Sequence, residues 1–434
     1  MVGSQLLLRI GSAAGGLVVG SYFAALRSHG VPVTSVLVGV LSALGYLTEL
    51  VFAPLAGAWT DRRGRRTFVI LAPLLAAGGA LVVPAGSLVA AVPPVALVAV
   101  VVGTARLVEG AGSAMAVPAT LGLLADATEG DRVRRGRQMS LYELASSAGI
   151  GIGAAAGPLL WTAAGLRSFP IIAAMYLCGA GMVAVFVRET APRRGGRRPA
   201  VSVLRQARVV FTEPRLARFL PAWVAANAIL GTWIAAQISF VLTGNRRVAG
   251  QRFVGTFYGH EPRLSALLGG YAVVFACCVV AWAFLIGRLP TRPVLAAALA
   301  GMVVAAGALA GLNHGGPRLL FGSFVLAGTF LAAGFAPAAL TYLADASADF
   351  MADRGLIMGL YSVVLGVGYL LGNVLGGAFA QWRAFDGLAL LTAILAAVGL
   401  ASVAILPPNV TRAVTRARTG TWRSRWPGRS ARRR

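Results

Sequence analysis

The stretch PATLGLLADA at residues 118–127 recurs as PAALTYLADA at residues 337–346. The register holds without a gap over residues 118–157 and 337–376. Chance similarity of two Ala-, Gly- and Leu-rich helices would not also align Asp126, Arg135 and Tyr142. A period of 219 residues is far longer than the roughly 20 to 50 residues of solenoid repeats, so we predict a duplicated unit that forms two similar helical bundles. The identical residues are Pro118, Ala119, Leu121, Leu124, Ala125, Asp126, Ala127, Arg135, Gly136, Met139, Leu141, Tyr142, Gly149, Gly153 and Gly157, matched by Pro337, Ala338, Leu340, Leu343, Ala344, Asp345, Ala346, Arg354, Gly355, Met358, Leu360, Tyr361, Gly368, Gly372 and Gly376.

The composition is that of a membrane protein. Hydrophobic residues make up 57% of the chain and charged residues 12%, against roughly 25% charged residues in soluble domains, and the mean hydropathy is +0.76. About 20 apolar residues cross a bilayer core as a helix. The sequence therefore predicts an all-α fold with twelve transmembrane helices, at Leu6 to Arg27, Ser35 to Trp59, Thr67 to Gly86, Pro94 to Ala125, Gln138 to Ala164, Ser168 to Val187, Phe219 to Thr243, Ser265 to Gly287, Pro293 to Gly311, Leu319 to Leu343, Leu356 to Ala380 and Asp386 to Leu406.

The arginines predict the orientation of these spans. All 39 basic residues are arginine, and cytoplasmic loops carry the excess of positive charge in membrane proteins. If the N-terminus is cytoplasmic, most arginines fall in inner loops and in the C-terminal tail. We therefore predict a multi-pass protein of the cell membrane with both termini in the cytoplasm. The arginines left outside are then Arg27, Arg167, Arg246, Arg247, Arg252, Arg263, Arg318 and Arg383.

The net charge of +25 is spread over loops that flank the membrane. Contact with anionic lipids explains such a distribution, and nucleic acid is excluded as a partner because no single basic face results. The domain prediction is an N-terminal six-helix bundle at 1–187, a cytoplasmic linker at 188–218, a C-terminal six-helix bundle at 219–406 and a basic cytoplasmic tail at 407–434, in a monomer. The outer loop at 244–262 is either a lid or a plain surface loop.

Between the second and third spans the chain reads GAWTDRRGRR at residues 57–66. This GxxxDRxGRR pattern resembles the signature loop of the major facilitator superfamily. Together with twelve spans and the repeat, the resemblance covers essentially the whole chain. It implies two six-helix bundles related by a pseudo-twofold axis, which transport a solute by alternating access.

The same resemblance implies a latch that closes the inner gate. Asp61 would cap the start of the eleventh helix near Arg354 and Gly355, and Arg65 would reach Asp126 at the inner end of the fourth span. Plain topogenic charge is the alternative, which explains the arginines but not Asp61. The predicted latch residues are Gly57, Asp61, Arg62, Gly64, Arg65, Arg66, Asp126, Asp345, Arg354 and Gly355.

Inside the fourth span, Arg106 and Glu109 stand one turn apart, followed by Gly110. This arrangement resembles the RxxxG pattern of proton-coupled exporters of the superfamily. An ionised arginine at a helix centre costs about 2.5 to 3.5 kcal/mol on insertion scales, so it should face the interior and have a partner. Glu109 and Glu49 are the candidates, either as a proton-coupling site or as a structural ion pair. Glu143 is a second proton or cation site, or a residue that snorkels to the interface.

Gly149, Gly153 and Gly157 form a stripe on the fifth span that lets another helix approach closely, and Pro158 follows. The stripe resembles the antiporter motif of drug-exporting branches, although Leu160 and Trp161 stand where that motif has Gly-Gly. Helix packing alone is the other explanation. By family analogy, spans 1, 4, 7 and 10 line the substrate cavity, where ordinary packing is again the alternative. The predicted cavity residues are Tyr22, Phe23, Trp223, Asn227, Trp233, Gln237 and Phe324.

The functional prediction is proton-driven export of a small lipophilic or cationic compound. The alternatives are an uptake carrier of the same fold and a membrane scaffold or sensor that does not transport. We expect no enzyme activity. An ATP-driven pump is disfavoured, because the sequence contains no GxxxxGK[ST] loop and no soluble nucleotide domain. We also expect no cofactor and no metal. The cysteines Cys178, Cys277 and Cys278 lie in apolar spans, and the histidines His29, His260 and His314 lie in outer loops.

Overall fold

The computed structural model describes residues 2–90, 92–127, 132–187, 214–233, 236–286, 288–347 and 354–406. These residues form helices and connecting turns, and they contain no strand beyond one isolated bridge between Val248 and Gln251. The helices are α1 Val2–Ser28, α2 Ser35–Arg63, α3 Arg65–Val82, α4 Ala85–Val89, α5 Val95–Ala127, α6 Arg132–Ala164, α7 Ser168–Phe186, α8 Pro214–Trp233, α9 Ala236–Thr243, α10 Glu261–Leu285, α11 Thr291–Asn313, α12 Arg318–Ala333, α13 Phe335–Ser347 and α14 Arg354–Ala404.

Ten of these helical segments are long and apolar enough to cross a membrane. Two of the ten each contain two spans. The segment Arg137–Phe186 is interrupted by a 3-10 turn at Gly165–Arg167. In α14 the backbone leaves the helical region at Arg383 and Ala384. The ten segments therefore account for the twelve predicted spans, and the all-helical membrane fold is confirmed.

Several helices extend beyond the predicted spans. The helix α8 begins at Pro214, before the predicted start at Phe219 and inside the predicted linker 188–218. Proline fits the first turn of a helix because its missing N–H would have no partner there. The helix α6 begins at Arg132 rather than Gln138. Hydropathy detects only the part of a helix that lies in lipid, so polar first turns escape it. Residues 188–213 and the tail 407–434 lie outside the described part of the chain.

The glycine stripes show the duplication in three dimensions. A Cβ atom on Gly153 would stand 2.5 Å from the carbonyl oxygen of Ile10, so α6 lies directly on α1. The second copy repeats this crossing, because Gly372 of α14 lies directly on the backbone of Ala228 in α8. Packing through glycine lets helix backbones meet. Gly149, Gly153 and Gly157 all lie against α1, and Pro158 lies within the same helix α6.

The two groups of helices meet along one seam. We call the side of the bundle on which α1 begins the near side, and the opposite side the far side. On the far side, the Ser21 and Ser239 hydroxyl groups are 2.9 Å apart and join α1 to α9. Gly39 of α2 and Gly377 of α14 also touch there through their backbones. These contacts seal the far end of the seam.

The loop between α9 and α10 is an ordered cap on the far ends of the C-terminal helices. Phe253 donates its backbone N–H to the side-chain oxygen of Asn313, at 2.8 Å. Asn313 in turn donates to Asp386, which also contacts His314 at 2.9 Å. His314 is thus held by a carboxylate. No cluster of metal-binding side chains occurs within the described ranges.

We predict that Gly153→Ala destabilises the protein, because the new methyl group would collide with the Ile10 carbonyl and force α6 away from α1. Overpacking of this kind costs about 1 to 3 kcal/mol. Thermal unfolding in detergent should therefore begin at a lower temperature than in the wild type. Gly181→Ala is the matched control, since a Cβ atom there meets nothing within 4 Å. Equal unfolding temperatures for the two variants would contradict the packing role of the stripe.

Candidate functional site

A small polar cavity lies inside the N-terminal group of helices. Its volume is about 80 Å³, room for two or three water molecules at roughly 30 Å³ each. It is bounded by α1, α2, α3, α5, α6 and α7. We call it the polar cavity, and its polar walls include Arg9, Glu49, Glu109, Ser113, Tyr142 and Tyr176.

A larger groove of about 530 Å³ lies at the near ends of α11 and α14, between Pro290, Arg292 and Leu400. Its walls are mainly apolar, and Arg292 is its one ionisable side chain. The groove is remote from the acids inside the spans. The acids Glu49 and Glu109 instead lie inside the spans at the smaller polar cavity.

The charges predicted in the fourth span form an ion pair. Arg106 Nη1 lies 2.7 Å from Glu109 Oε2, and the two side chains are only 16% and 21% exposed. Glu109 contributes to the cavity wall. The pairing compensates both charges inside the apolar span, as the insertion cost of an unpaired arginine requires. The structure thus brings Arg106 and Glu109 together in the interior of the bundle.

Close helix crossings set this pair in place. Gly110, next to Glu109, lies directly on the backbone of Gly45 in α2. Gly112 makes a similar crossing with Ala72 of α3, where a Cβ atom would be 2.6 Å from the carbonyl oxygen. Small residues at both crossings draw three helices together around the acid. Glu49 follows Gly45 by one turn of α2, which brings a second carboxylate to the cavity.

Arg9 of α1 is the functional candidate that the sequence reading left unassigned. It lines the polar cavity, interacts electrostatically with Glu49 and is hydrogen-bonded to the Tyr142 hydroxyl group. The cavity region therefore holds two arginines and two glutamates. The signal was present in the sequence, since Arg9 is one of the few charges inside a predicted span. The stripe on α6 places it, because the Cβ atom of Arg9 packs against Gly149.

Glu143 is not part of this group. It is exposed on α6, while its neighbour Tyr142 faces the cavity. A position one residue away on a helix points about 100° elsewhere. Glu143 therefore lies away from the cavity wall, and both sequence-based interpretations of this residue stay predictions.

The turn of the predicted latch is described in part. Gly64 has φ +91, between the end of α2 and the start of α3, a conformation in which glycine is preferred. The Arg65 guanidinium lies against Gly122 of α5, one turn before Asp126. Arg66 donates to the Ala184 carbonyl oxygen in α7, which ties two helices of the N-terminal group together. The latch remains a prediction, because the structure does not describe the surroundings of its other residues. These are Gly57, Asp61, Arg62, Asp126, Asp345, Arg354 and Gly355.

The residues predicted to line a substrate cavity are not brought together in this conformation. Tyr22, Phe23 and Trp223 are buried in hydrophobic cores. The three aromatic side chains point into the cores of their own bundles. An apolar span has both a core side and a cavity side, and the periodicity of the sequence does not distinguish the two. Phe324 is exposed on α12.

Three polar members of that set differ in their partners. Asn227 donates to the Trp223 carbonyl oxygen, and Trp233 donates to the Thr392 hydroxyl group at 2.8 Å. Gln237 is buried, and neither end of its amide has a hydrogen-bond partner within the described residues. Gln237 is therefore the member of the set with free capacity for a polar ligand group.

A pair of tyrosines links the two groups of helices. The rings of Tyr46 in α2 and Tyr369 in α14 stack with centroids 5.1 Å apart and an interplanar angle of 18°. Tyr46 also lies within electrostatic range of Glu49, Glu109 and Arg106. No sequence signal identified this contact, because the two residues lie in different halves and match no motif.

A family model described as Major Facilitator Superfamily matches residues 6–259 and 248–434. No curated protein matches the chain. The nucleoside transporter NupG superimposes with a TM-score of 0.69 at 11% identity, over 93% of this chain and 98% of that chain. A peptide transporter POT in complex with sulfate gives 0.65 at 17% identity, over 93% of each chain.

A third solved structure is similar at the same level. A POT family transporter in complex with a thioalcohol-conjugated peptide gives a TM-score of 0.64 at 13% identity, over 93% of this chain and 95% of that chain. The TM-scores show that these proteins share a fold with this chain. At identities this low, the similarity says nothing about the compound that this chain transports.

We predict that Arg106→Leu and Glu109→Leu each destabilise the protein, whereas the double variant recovers part of the loss. Each single change leaves one unpaired charge in the span, and the double change removes both. The coupling free energy between the two sites should be about 0.5 to 3 kcal/mol. Urea unfolding in detergent measures it. A control cycle of Arg106 with the exposed Glu143 should show no coupling, and strict additivity for Arg106 and Glu109 would refute the ion pair.

Proposed function

Because the chain belongs to the major facilitator superfamily, whose members are multi-pass membrane transporters and not enzymes, we propose that it exports a small lipophilic or cationic compound in exchange for protons. The observation that carries this proposal is the ion pair of Arg106 and Glu109, beside Glu49 and Arg9 in the polar cavity. Such charges are costly inside a span and mark ion or substrate pathways by default.

Proton binding would act on this cluster directly. A proton on Glu109 neutralises the carboxylate and leaves Arg106 without its partner at 2.7 Å. Arg9 is already engaged with Glu49 and Tyr142, so the net charge of the cluster rises by one. A net charge inside an apolar bundle favours whichever conformation admits water or a counter-charge. Protonation would in this way bias the equilibrium between the two open states.

The arrangement of the helices supports alternating access. The far end of the seam is closed by the contacts of α1 with α9 and of α2 with α14. In our proposal the near side faces the cytoplasm, as the arginine distribution predicts. In the same proposal, the bundles comprise residues 1–187 and 219–406 and rock about the seam. The linker 188–218 and the tail 407–434 contact anionic lipids. The protein acts as a monomer in the cell membrane.

A cationic substrate is proposed because it can take the place of Arg9 or Arg106 as the partner of a carboxylate. Glu49 and Glu109 lie at the polar cavity, near the face where α2 meets α14. A cationic substrate and a proton would compete for these carboxylates, which is the simplest basis for exchange. The apolar walls of the spans suit a lipophilic body on the same compound.

We predict that Glu109→Gln loses transport driven by a pH gradient. Proteoliposomes loaded with a panel of lipophilic cations are given gradients of either sign, and uptake and release are followed. In the wild type, a gradient acidic on the far side should drive export from the near side. In the glutamine variant this rate should fall at least about tenfold, because a glutamine side chain cannot take up and release the proton. Exchange of substrate for substrate should persist.

The control is Glu143→Gln, which removes an exposed acid from α6 and should leave the gradient dependence unchanged. Wild-type gradient-driven rates in Glu109→Gln would overturn proton coupling at this residue. Movement of the substrate in the same direction as the protons would indicate symport, and no transport of any compound would indicate a scaffold.

A second prediction concerns the inner latch at the turn of Gly64. Asp61→Asn removes the charge that would cap a helix of the other bundle, so the near side should open more often. A single cysteine at Ser113, which lines the polar cavity, reports this opening in a variant whose three native cysteines are replaced. Maleimide should label it about twofold to tenfold faster in Asp61→Asn, a free-energy effect of the size expected at a helix terminus.

The matched control is Thr291→Asn in the corresponding loop of the second half, which lacks the aspartate. This variant should label at the wild-type rate. If Asp61→Asn and Thr291→Asn label equally, the aspartate has only a topogenic or structural role and the latch is refuted.

A further inference from the structure

The stack of Tyr46 on Tyr369 joins the two groups of helices beside the polar cavity. The rings are nearly parallel, with centroids 5.1 Å apart. Each ring keeps part of its surface accessible, so neither is sealed into a core. The other stacked pairs among the described residues lie within one group, for example Phe219 with Trp223 and Tyr271 with Phe275. Tyr46 and Tyr369 are the pair whose separation changes when the bundles move.

Backbone crossings hold each tyrosine to its own group. Gly45, which precedes Tyr46, lies against the backbone of Gly110 in α5. On the other side of the seam, Gly231 of α8 lies on the backbone of Tyr369, where a Cβ atom would be 2.7 Å from its carbonyl oxygen. A tyrosine has few rotatable bonds, so its ring follows the backbone that carries it. Movement of one group relative to the other would therefore change the distance between the two rings.

We propose that Tyr46 and Tyr369 form an aromatic clamp that takes the planar aromatic ring of a cationic substrate between them. This deepens the proposed function and rests on it. A ring inserted between the tyrosines needs them to separate by about 3.5 Å, the contact distance of carbon layers. Rocking of the bundles supplies a movement of this kind, since the stack spans the seam. In the structure the two rings contact each other directly.

The adjacent carboxylates offer partners to a charge on the occupant, in competition with the arginines that hold them. Glu49, which interacts with Arg9, follows Tyr46 by one turn on the same face of α2. The Tyr46 side chain lies within electrostatic range of Glu109 and of its partner Arg106. A planar cation would place its ring between the tyrosines and its charge toward these carboxylates. The electron-rich faces of the two rings add to the attraction for a cation. A planar aromatic cation thus satisfies both features, and an aliphatic cation satisfies only the acids.

The test measures equilibrium binding to the full-length protein in nanodiscs without a pH gradient. Ethidium is the planar aromatic probe, followed by its fluorescence against protein-free nanodiscs. Tetrabutylammonium, with the same charge but no ring, is the competitor. In the wild type, ethidium should bind saturably, and tetrabutylammonium should displace it only at concentrations at least about tenfold higher.

Variants separate the ring from its hydroxyl group. Tyr46→Leu and Tyr369→Leu should each weaken ethidium binding by about fivefold to tenfold, the range expected for one lost aromatic contact, and should leave tetrabutylammonium affinity nearly unchanged. Tyr46→Phe and Tyr369→Phe should bind ethidium almost as the wild type does. Tyr271→Leu, which breaks a stack inside α10 alone, is the control and should change neither affinity.

Several outcomes would overturn the clamp. These are the absence of saturable ethidium binding, equal affinities of the wild type for the two cations, and equal loss of both cations in the leucine variants. Equal effects of phenylalanine and leucine would point to the hydroxyl groups instead. If a leucine variant fails to fold, the wild-type competition and the phenylalanine variants still decide. Binding needs no gradient, so failure of proton coupling and failure of the clamp are read separately.

Discussion

The structure depends on close backbone contact at glycine crossings. The stripe on α6 lets α1 lie in direct contact with it, and the second copy of the stripe does the same between α14 and α8. In a membrane the lipid is as apolar as the side chains, so helices associate through close packing rather than through the hydrophobic effect. One methyl group at Gly153 would displace a helix whose polar residues reach the cavity. The geometry of the site is thus set by positions that carry no chemistry themselves.

These crossings also decide where the charges lie. Gly110 joins α5 to α2, and with that contact Glu109 and Glu49 reach the same cavity. Gly149 contacts Arg9 in the same manner, which turns the arginine toward Tyr142. Two arginines and two glutamates then share a space of about 80 Å³ and its surroundings. An unpaired charge would be expelled to the surface or to water, so the cluster is stable only while all its members are held by the crossings.

Local sequence patterns predicted the spans and several short-range arrangements of residues. They did not predict contacts between residues that are far apart in the sequence. Hydropathy located the spans, and the spacing of Gly149, Gly153 and Gly157 indicated a packing face. The spacing of Arg106 and Glu109 indicated their pairing. The stack of Tyr46 and Tyr369 could not be found this way, since two tyrosines in apolar spans carry no spacing signal across the halves. Tyr22 and Phe23 were predicted to line a cavity because the sequence does not show which side of an apolar span faces the core. The structure buries both side chains in the core.

The duplication makes the difference between the halves informative. At the position equivalent to Glu109 the second half has Gly328, and a Cβ atom there would be 2.6 Å from the Gly301 carbonyl oxygen. The space that a carboxylate fills in one half is therefore filled by the backbone of α11 in the other. Proton-dependent change would then arise in the N-terminal group and be transmitted across the seam, where the two tyrosines meet.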